Sequence, residues 1–404
     1  MVPDKSTTSD HIESSPMEVT VVIPCLNEAD TLEACIRKAQ RSMSEAGIVG
    51  EVVVSDNGST DESVAIAERL GARVVHVKRR GYGSALMGGI EAASGELILM
   101  GDADDSYDFL ETARFIEKLR GDYDLVQGCR LPCGGGTVMP GAMPFLHRWI
   151  GNPILTRLVR IMFRANVSDV YCGMRAFRKS HYLRLKQRCT GMEFATEMII
   201  KSHLVGARIA EIPITLHPDG RKSHQPHLRT FRDGWRTLVL FMMFSPRWTY
   251  FIPGVVLMLF GLVAYGLAMP GLTISGATLD AHTLLFANAA IMIGYQAILF
   301  AGLAQVYSAV HDLLPTSAFT ERVRQEGTLE RMLGFSAGVF LLGVALLGGA
   351  VWQWWEADFG QLEYARTMRW VIPGVLFTVL GFQSVMAGFF LSILRATSQS
   401  PADD

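Results

Sequence analysis

The chain has 404 residues, more than one ordinary domain, and 49% of them are apolar, with a mean hydropathy of +0.24 that is unusual for a soluble protein. Its 37 Lys and Arg nearly cancel its 39 Asp and Glu, leaving a net charge of −2, so no basic footprint points to nucleic acid and none is expected as a partner. Charges are plentiful before about Arg247 and sparse after it, which predicts a soluble half followed by a membrane half.

Residues 1–16 are rich in Ser, Thr, Asp and Glu without an apolar run. They read as a disordered tail, and no signal peptide is expected. The six cysteines all lie in the first half at spacings that match no zinc pattern, as reduced thiols on a cytoplasmic face do. Val19 to Pro24 is a β-branched run closed by proline. Cys25-Leu26-Asn27-Glu28 follows, then a helical pattern from about Ala29 to Ala46, with Asp30 or Thr31 as its cap. Glu51 to Ser55 reads as a second strand ending in Asp56-Asn57-Gly58-Ser59-Thr60-Asp61, with a helix to Leu70. Ala72 to Val77 reads as a third strand. It leads into Lys78-Arg79-Arg80-Gly81-Tyr82-Gly83, a loop suited to a nucleotide diphosphate or simply to solvent, and then a helix to about Ala93.

Leu97 to Met100 is a short buried strand that runs out into Gly101-Asp102-Ala103-Asp104-Asp105-Ser106. Asp102 and Asp104 are two apart, so extended backbone turns both carboxylates to one face. Alone, that is an acidic turn at a strand end; as a ligand pair, two hard oxygens suit Mg²⁺ or Mn²⁺ shared with substrate phosphates. Alternating strands and helices imply an α/β fold with a largely parallel sheet, gathering Asn27, Asp56, Gly81, Asp102 and Asp104 at one edge.

The motifs Val-Ile-Pro-Cys-Leu-Asn-Glu at 22–28, Ser-Asp-Asn-Gly-Ser-Thr-Asp at 55–61, the Gly81 loop and Gly-Asp-Ala-Asp at 101–104 resemble the family 2 glycosyltransferases of GT-A fold. The nearest likeness is to the polyprenyl-phosphate glycosyltransferases, which include dolichyl-phosphate mannose and glucose synthases. It spans roughly Met17 to Arg236. The resemblance implies a Rossmann-like, mixed, mostly parallel sheet, and Pro24, Asn27, Glu28, Asp56, Gly81 and Asp102 on the donor nucleotide. It puts Asp102 and Asp104 on the metal. Asp104, Asp169, Arg130, Arg175 and Glu197 become the candidate catalytic group, and Arg130, Arg148 and Asn152 the site for the acceptor phosphate. Two positions depart from the pattern: Ser106 stands where a third metal-side residue is expected, and Asn57 where many relatives have a second Asp. Asp169 and Glu197 also read as a loop brace and a surface carboxylate.

Asp122 to Gly128 reads as another strand, and Gly134-Gly135-Gly136 as a flexible loop. Pro144 to Arg164 sets aromatic and aliphatic residues opposite arginines, as an interfacial helix or an ordinary packed one. Glu193 to Leu204 is helical, and Arg208 to Leu216 is the last strand. After it, His217, Arg221, Lys222, Ser223, His224 and His227 form a polar loop suited to closing over a diphosphate. Its histidines lack the acidic or thiol partners of a zinc site.

The expected layout is a catalytic domain over 17–226, an amphipathic juxtamembrane helix over 227–246 with Arg229, Arg232 and Arg236, a membrane domain over 247–395, and a tail from 396 to 404. Four apolar stretches without Asp, Glu, Lys, Arg or His, at Tyr250–Met269, Leu284–Val310, Met332–Trp355 and Trp370–Leu394, each reach the length that spans hydrocarbon. Arg322, Arg324 and Arg331 crowd the 311–331 loop while 270–283 has no Lys or Arg, which places both termini and the catalytic domain in the cytoplasm. The spans anchor the chain, and a homo-oligomer is one further use for them. Two other functions fit the same motifs. A processive polysaccharide synthase shares the fold but carries a Gln-x-x-Arg-Trp motif absent here, and a non-catalytic nucleotide-sugar-binding scaffold needs none of the charged site residues intact.

Overall fold

A computed structural model describes residues 17–222, 230–274, 276–325 and 327–398. The expected N-terminal tail, Ser223, His224, His227 and Arg229, and the end of the C-terminal tail lie outside the described residues. The chain divides into two compact units, 1–238 and 239–404.

In the first unit, chain order runs β1 (Val19–Cys25), α1 (Leu32–Glu45), β2 (Gly50–Asp56), α2 (Ser63–Arg69), β3 (Arg73–His76), α3 (Tyr82–Ala92), β4 (Leu97–Met100), α4 (Thr112–Arg120), β5 (Leu125–Cys129), β6 (Thr137–Val138), α5 (Asn152–Phe163), β7 (Arg175–Arg178), α6 (Lys179–Leu185), α7 (Phe194–Leu204), β8 (Ile209–Pro213) and β9 (Thr215–Leu216). Seven strands form one sheet in the order β3-β2-β1-β4-β7-β5-β8, parallel throughout except for β7, while β6 and β9 make a small parallel pair. Every residue of β1 is buried, as a strand covered on both faces requires.

The chain steps outward from β1 through β2 to β3, then returns to place β4 on the other side of β1. A crevice therefore opens beyond the carboxyl ends of β1 and β4, where the strand order reverses. Pro24 widens it. β1 pairs with β2 along its whole length, from Val19↔Gly50 to Cys25↔Asp56, but with β4 only as far as Val22↔Met100. The proline, which has no N–H to donate, sits just past that last rung.

The expected helix over 144–164 is a wide turn at His147–Gly151 continuing into α5. The Asn152 N–H bonds His147 O, five residues back, immediately before Pro153. A widened turn makes room for a proline ring that would otherwise strike the carbonyl four residues behind it. Thr156, Val159 and Phe163 dock on the domain, whereas Phe145 (74% exposed), Trp149 (59%) and Ile154 (54%) face outward.

In the second unit, α9 (Ile252–Ala268), α10 (Ala281–Val310), α12 (Thr328–Glu356) and α13 (Tyr364–Ser398) follow the four expected spans, with a short α11 (Ala318–Arg324) between α10 and α12; α8 (Thr230–Phe244) runs across the division between the units. All four long helices have the length and composition to cross a membrane. α9 and α10 touch through glycine: a Cβ on Gly294 would lie 2.6 Å from Gly254 O, and one on Gly254 2.8 Å from Gly294 O. Such close backbone approach is how helices associate where lipid removes the hydrophobic drive. Polar side chains link α10 to α13, with Gln383 Nε2 donating to Gln296 Oε1 and Tyr295 bonding Ser384.

Candidate active site

β4 delivers Asp102 and Asp104 into the crevice. Tyr82, on the first turn of α3, donates its hydroxyl to Asp102 Oδ1 at 2.8 Å. Asp102 Oδ2 stays open because Gly173 faces it, where a Cβ would sit 2.7 Å away. Asp104 Oδ1 accepts from the Ser106 N–H (3.0 Å) and hydroxyl (2.6 Å), while Oδ2 faces Arg221. Ser106 thus fixes the orientation of the Asp104 carboxylate. Burial, together with the neighbouring charge of Asp104, pushes the Asp102 pKa up to about 6. A divalent cation there would relieve the repulsion. Among the described residues no group of three His, Cys, Asp or Glu could hold a metal, and the crevice offers the oxygen pair Asp102 and Asp104. That set fits Mg²⁺ or Mn²⁺ completed by phosphate oxygens and water.

Arg221 lies against the same carboxylates. Its guanidinium grips Glu28 at 2.7 Å through both Nε and Nη2, reaches Asp219 at 2.7 Å and stands 3.5 Å from Asp104 Oδ2. Burial opposes its charge, but Glu28, Asp104 and Asp219 raise its pKa overall.

The loops after β1, β2 and β3 are laced together by amides. Asn27 adopts φ +60, a left-handed conformation that Asn tolerates, and its Oδ1 accepts from the Thr60 N–H at 2.7 Å. Asn57 Nδ2 donates to Val77 O (3.0 Å) and Arg79 O (2.8 Å), while its Oδ1 accepts from the Gly81 N–H (2.7 Å). Only an amide can give two bonds and take one there. This accounts for Asn57 where an aspartate is expected. Asp56 accepts from Gly58 and Ser59 of its own turn and from His76. Arg80 donates to Asn57 O at 2.6 Å, so this member of the basic triplet braces the loop. Gly81 has φ +134, and a Cβ on it would lie 2.2 Å from Thr190 O. The glycine thus serves close packing against the 188–191 segment.

Arg130 follows β5 and meets Asp169 in a buried bidentate pair, Nε to Oδ2 at 2.7 Å and Nη2 to Oδ1 at 3.0 Å. Burial works against both charges, and the pairing wins: it raises the Arg130 pKa and lowers that of Asp169. Arg130 and Tyr171 N–H groups also donate to Asp169, so its lone pairs are occupied and it holds Arg130 in place. Nη1 of Arg130 points to the Tyr107 hydroxyl (3.4 Å), which accepts from the Gly173 N–H (2.8 Å). Arg175 is fully buried and bonds Ala195 O and Cys172 O, tying β7 to α7. Glu197 is likewise buried. It pairs with Lys201 at 2.8 Å and accepts from the Arg188 and Cys189 N–H groups, bracing the segment that packs on Gly81.

Beside Arg130 lies a groove of about 780 Å³, lined by Leu131, Arg148, Trp149, Arg157, Arg160 and Ile161 among others. Its Leu131 and Ser168 adjoin Arg130 and Asp169 in the chain. Nε of Arg148 is buried without a hydrogen-bond partner, and Asn152 Nδ2 contacts Met143 Sδ. Sequence reasoning missed Tyr82 and Tyr107. Tyr82 lies inside the Gly81–Gly83 loop and Tyr107 three residues past Asp104, and those positions were the available signal.

The Glycosyl transferase family 2 model matches residues 20–185, and that of the glycosyltransferase family 2 C-terminal transmembrane region matches 302–395. A low-salt glycan biosynthesis hexosyltransferase of Haloferax volcanii is 35% identical over 381 residues, 93% of this chain and 89% of that one. A dolichyl-phosphate hexose transferase of the same organism is 31% identical over 219 residues, 54% of this chain and 89% of that one. Glucosyl-3-phosphoglycerate synthase of Mycobacterium tuberculosis, solved with Mn²⁺, uridine diphosphate and product, superposes with a TM-score of 0.43 at 23% identity, over 56% of this chain and 79% of that one.

Proposed function

The chain belongs to family 2 of the glycosyltransferases, and from that premise we propose that it transfers a hexose from a nucleotide-sugar to the phosphate of a polyprenyl phosphate, with inversion at the sugar carbon. UDP-glucose is the favoured donor and GDP-mannose the next. The carrying observation is a run of contacts from the metal-side carboxylates to the arginine-lined groove: Asp102 against Gly173, Gly173 to Tyr107, Tyr107 to Arg130, and Arg130 beside Leu131 of the groove. The hexose and dolichyl-phosphate specificities named for the Haloferax relatives support the same reading.

The donor diphosphate meets Asp102 and Asp104, with the bound Mg²⁺ or Mn²⁺ supplying charge stabilisation for the departing nucleoside diphosphate. Arg130, its guanidinium fixed by Asp169, and Arg148 hold the acceptor phosphate, a task that suits the two-pronged guanidinium. A phosphate monoester is already largely dianionic near neutrality, with a second pKa of about 6. No strong base is needed, so the saturated carboxylate of Asp169 fits a holding role. The isoprenoid tail runs along the apolar residues of the groove, and the exposed face of α5 rests in the membrane interface. Both termini and the catalytic unit are cytoplasmic on this reading.

Steady-state kinetics test it. Arg148→Ala should raise the KM for polyprenyl phosphate about tenfold or more and leave the KM for the donor within about twofold. The product from an α-linked donor should carry a β-linked sugar. A donor KM that rises while the acceptor KM stays put, or retention at the sugar carbon, would contradict the assignment.

A further inference from the structure

We propose that Arg221 makes metal binding at Asp102 and Asp104 conditional on the donor. Its guanidinium repels a divalent cation that comes alone and tolerates one that comes with a diphosphate. The inference rests on the metal-side reading of those two carboxylates above.

The segment after β9 is stitched to the acidic loop after β4. The His217 N–H donates to Ser106 O and the Gly220 N–H to Asp104 O, each at 2.9 Å. Just beyond, the Lys222 N–H bonds Asp30 Oδ2 at 3.0 Å. These bonds hold Arg221 over the carboxylates. Nε and Nη2 each donate to the Glu28 carboxylate at 2.7 Å, and Nη1 donates to Asp219 Oδ2 at 2.7 Å. Of the guanidinium's N–H groups, one on Nη1 and one on Nη2 remain uncommitted among the described residues. Nη1 stands 3.5 Å from Asp104 Oδ2. That oxygen is the one open to a cation, since Oδ1 already accepts twice from Ser106.

The guanidinium cannot step aside cheaply. Glu28 is buried, so moving Arg221 away leaves a buried carboxylate unpaired. A cation on Asp104 Oδ2 therefore meets a fixed positive charge in a crevice where water screens it poorly, and the repulsion is strong. A diphosphate bound to that cation brings negative charge of its own and offsets the repulsion. Cation and diphosphate then bind with positive coupling, and by linkage each tightens the other by the same factor. Without Arg221, the carboxylates of Glu28, Asp102, Asp104 and Asp219 would attract a bare cation.

The test is Mn²⁺ binding to the full-length protein in detergent, read from the electron paramagnetic resonance of the free ion, alone and with saturating UDP or GDP. The samples are the parent, Arg221→Gln, Arg221→Lys and Arg221→Gln/Asp104→Asn. In the parent, nucleotide should tighten Mn²⁺ binding by about tenfold to a hundredfold, the range of coupled sites. Arg221→Gln drops the charge and keeps a polar amide. It should tighten binding of Mn²⁺ alone by about tenfold and shrink the coupling by as much. Arg221→Lys keeps the charge and should behave as the parent, and the gain should vanish in Arg221→Gln/Asp104→Asn. Equal Mn²⁺ affinity with and without nucleotide in the parent, or no gain in Arg221→Gln, would overturn the proposal. So would a gain that survives Asp104→Asn, which would put the ion on Glu28 and Asp219. Failure of every sample to bind Mn²⁺ even with nucleotide would overturn the metal-side reading itself, and this proposal with it.

Discussion

At the scale of single residues, the site is governed by which lone pairs and N–H groups remain free. Asn57 gives two hydrogen bonds and takes one, all within a buried setting. Asn57→Asp keeps the shape but turns a carboxylate oxygen on two carbonyls, at a cost of about 1–3 kcal/mol. The loops after β2 and β3 should loosen, seen as a lower melting midpoint and a raised donor KM. Asp102, with its pKa pushed up to about 6 by burial and by Asp104, yields a pH prediction. A metal takes only the ionised form, so Mn²⁺-dependent nucleotide binding should be flat above about pH 7 and weaken by up to about tenfold per unit below about pH 6. Titration calorimetry across that range checks it, and an unchanged affinity at about pH 5 would rule out Asp102 as a ligand. Gly173→Ala puts a methyl 2.7 Å from Asp102 Oδ2 and 3.1 Å from Tyr107. It should lower kcat while leaving the fold's circular dichroism unchanged.

At the scale of elements, packing assigns roles that motifs alone leave open. Glu197 on α7 pairs with Lys201 and holds the 188–191 segment, which seats Gly81. Breaking such a buried pair costs about 3–5 kcal/mol. Glu197→Gln should therefore lower thermal stability strongly, and at saturating substrates the surviving folded fraction should keep its kcat. In the membrane unit, Gly294→Leu drives a side chain into α9 at Gly254, and a fall in the midpoint of detergent thermal unfolding measures the loss. Strands β1, β2 and β4 are legible in the sequence because each is an apolar run ended by polar residues, and the four spans because length and composition suffice. β7 is not. Its Arg175 and Arg178 look like loop residues until their guanidinium groups are seen bonding carbonyls of distant segments, Ala195 O for one and Leu119 O, Gly121 O and Tyr123 O for the other. α4 also goes unread, although Phe115, Ile116 and Leu119 at helical spacing mark it. The carboxylates of Asp102 and Asp104 are legible for a local reason, two residues on one short strand end. The partners of Asp169 and Arg221 lie 39 and 193 residues away, and only the folded chain brings them together.

For the whole molecule, the proposed function joins a glycosyltransferase unit with a carboxylate pair at a strand-order reversal to a unit of four long apolar helices, and it assigns them one task, chemistry on a substrate whose tail is in lipid and whose phosphate is not. In that proposal the acceptor phosphate needs charge and position more than a base, and arginine would supply both. The most direct measurement uses membranes containing the protein, Mn²⁺, undecaprenyl or dolichyl phosphate and a panel of radiolabelled nucleotide-sugars, and follows label into the organic phase, with Asp104→Ala alongside. Label entering lipid from a single donor, UDP-glucose first among them, and lost with chelator or in Asp104→Ala, is the predicted result. Metal-dependent nucleotide binding with no lipid label from any donor would contradict the account.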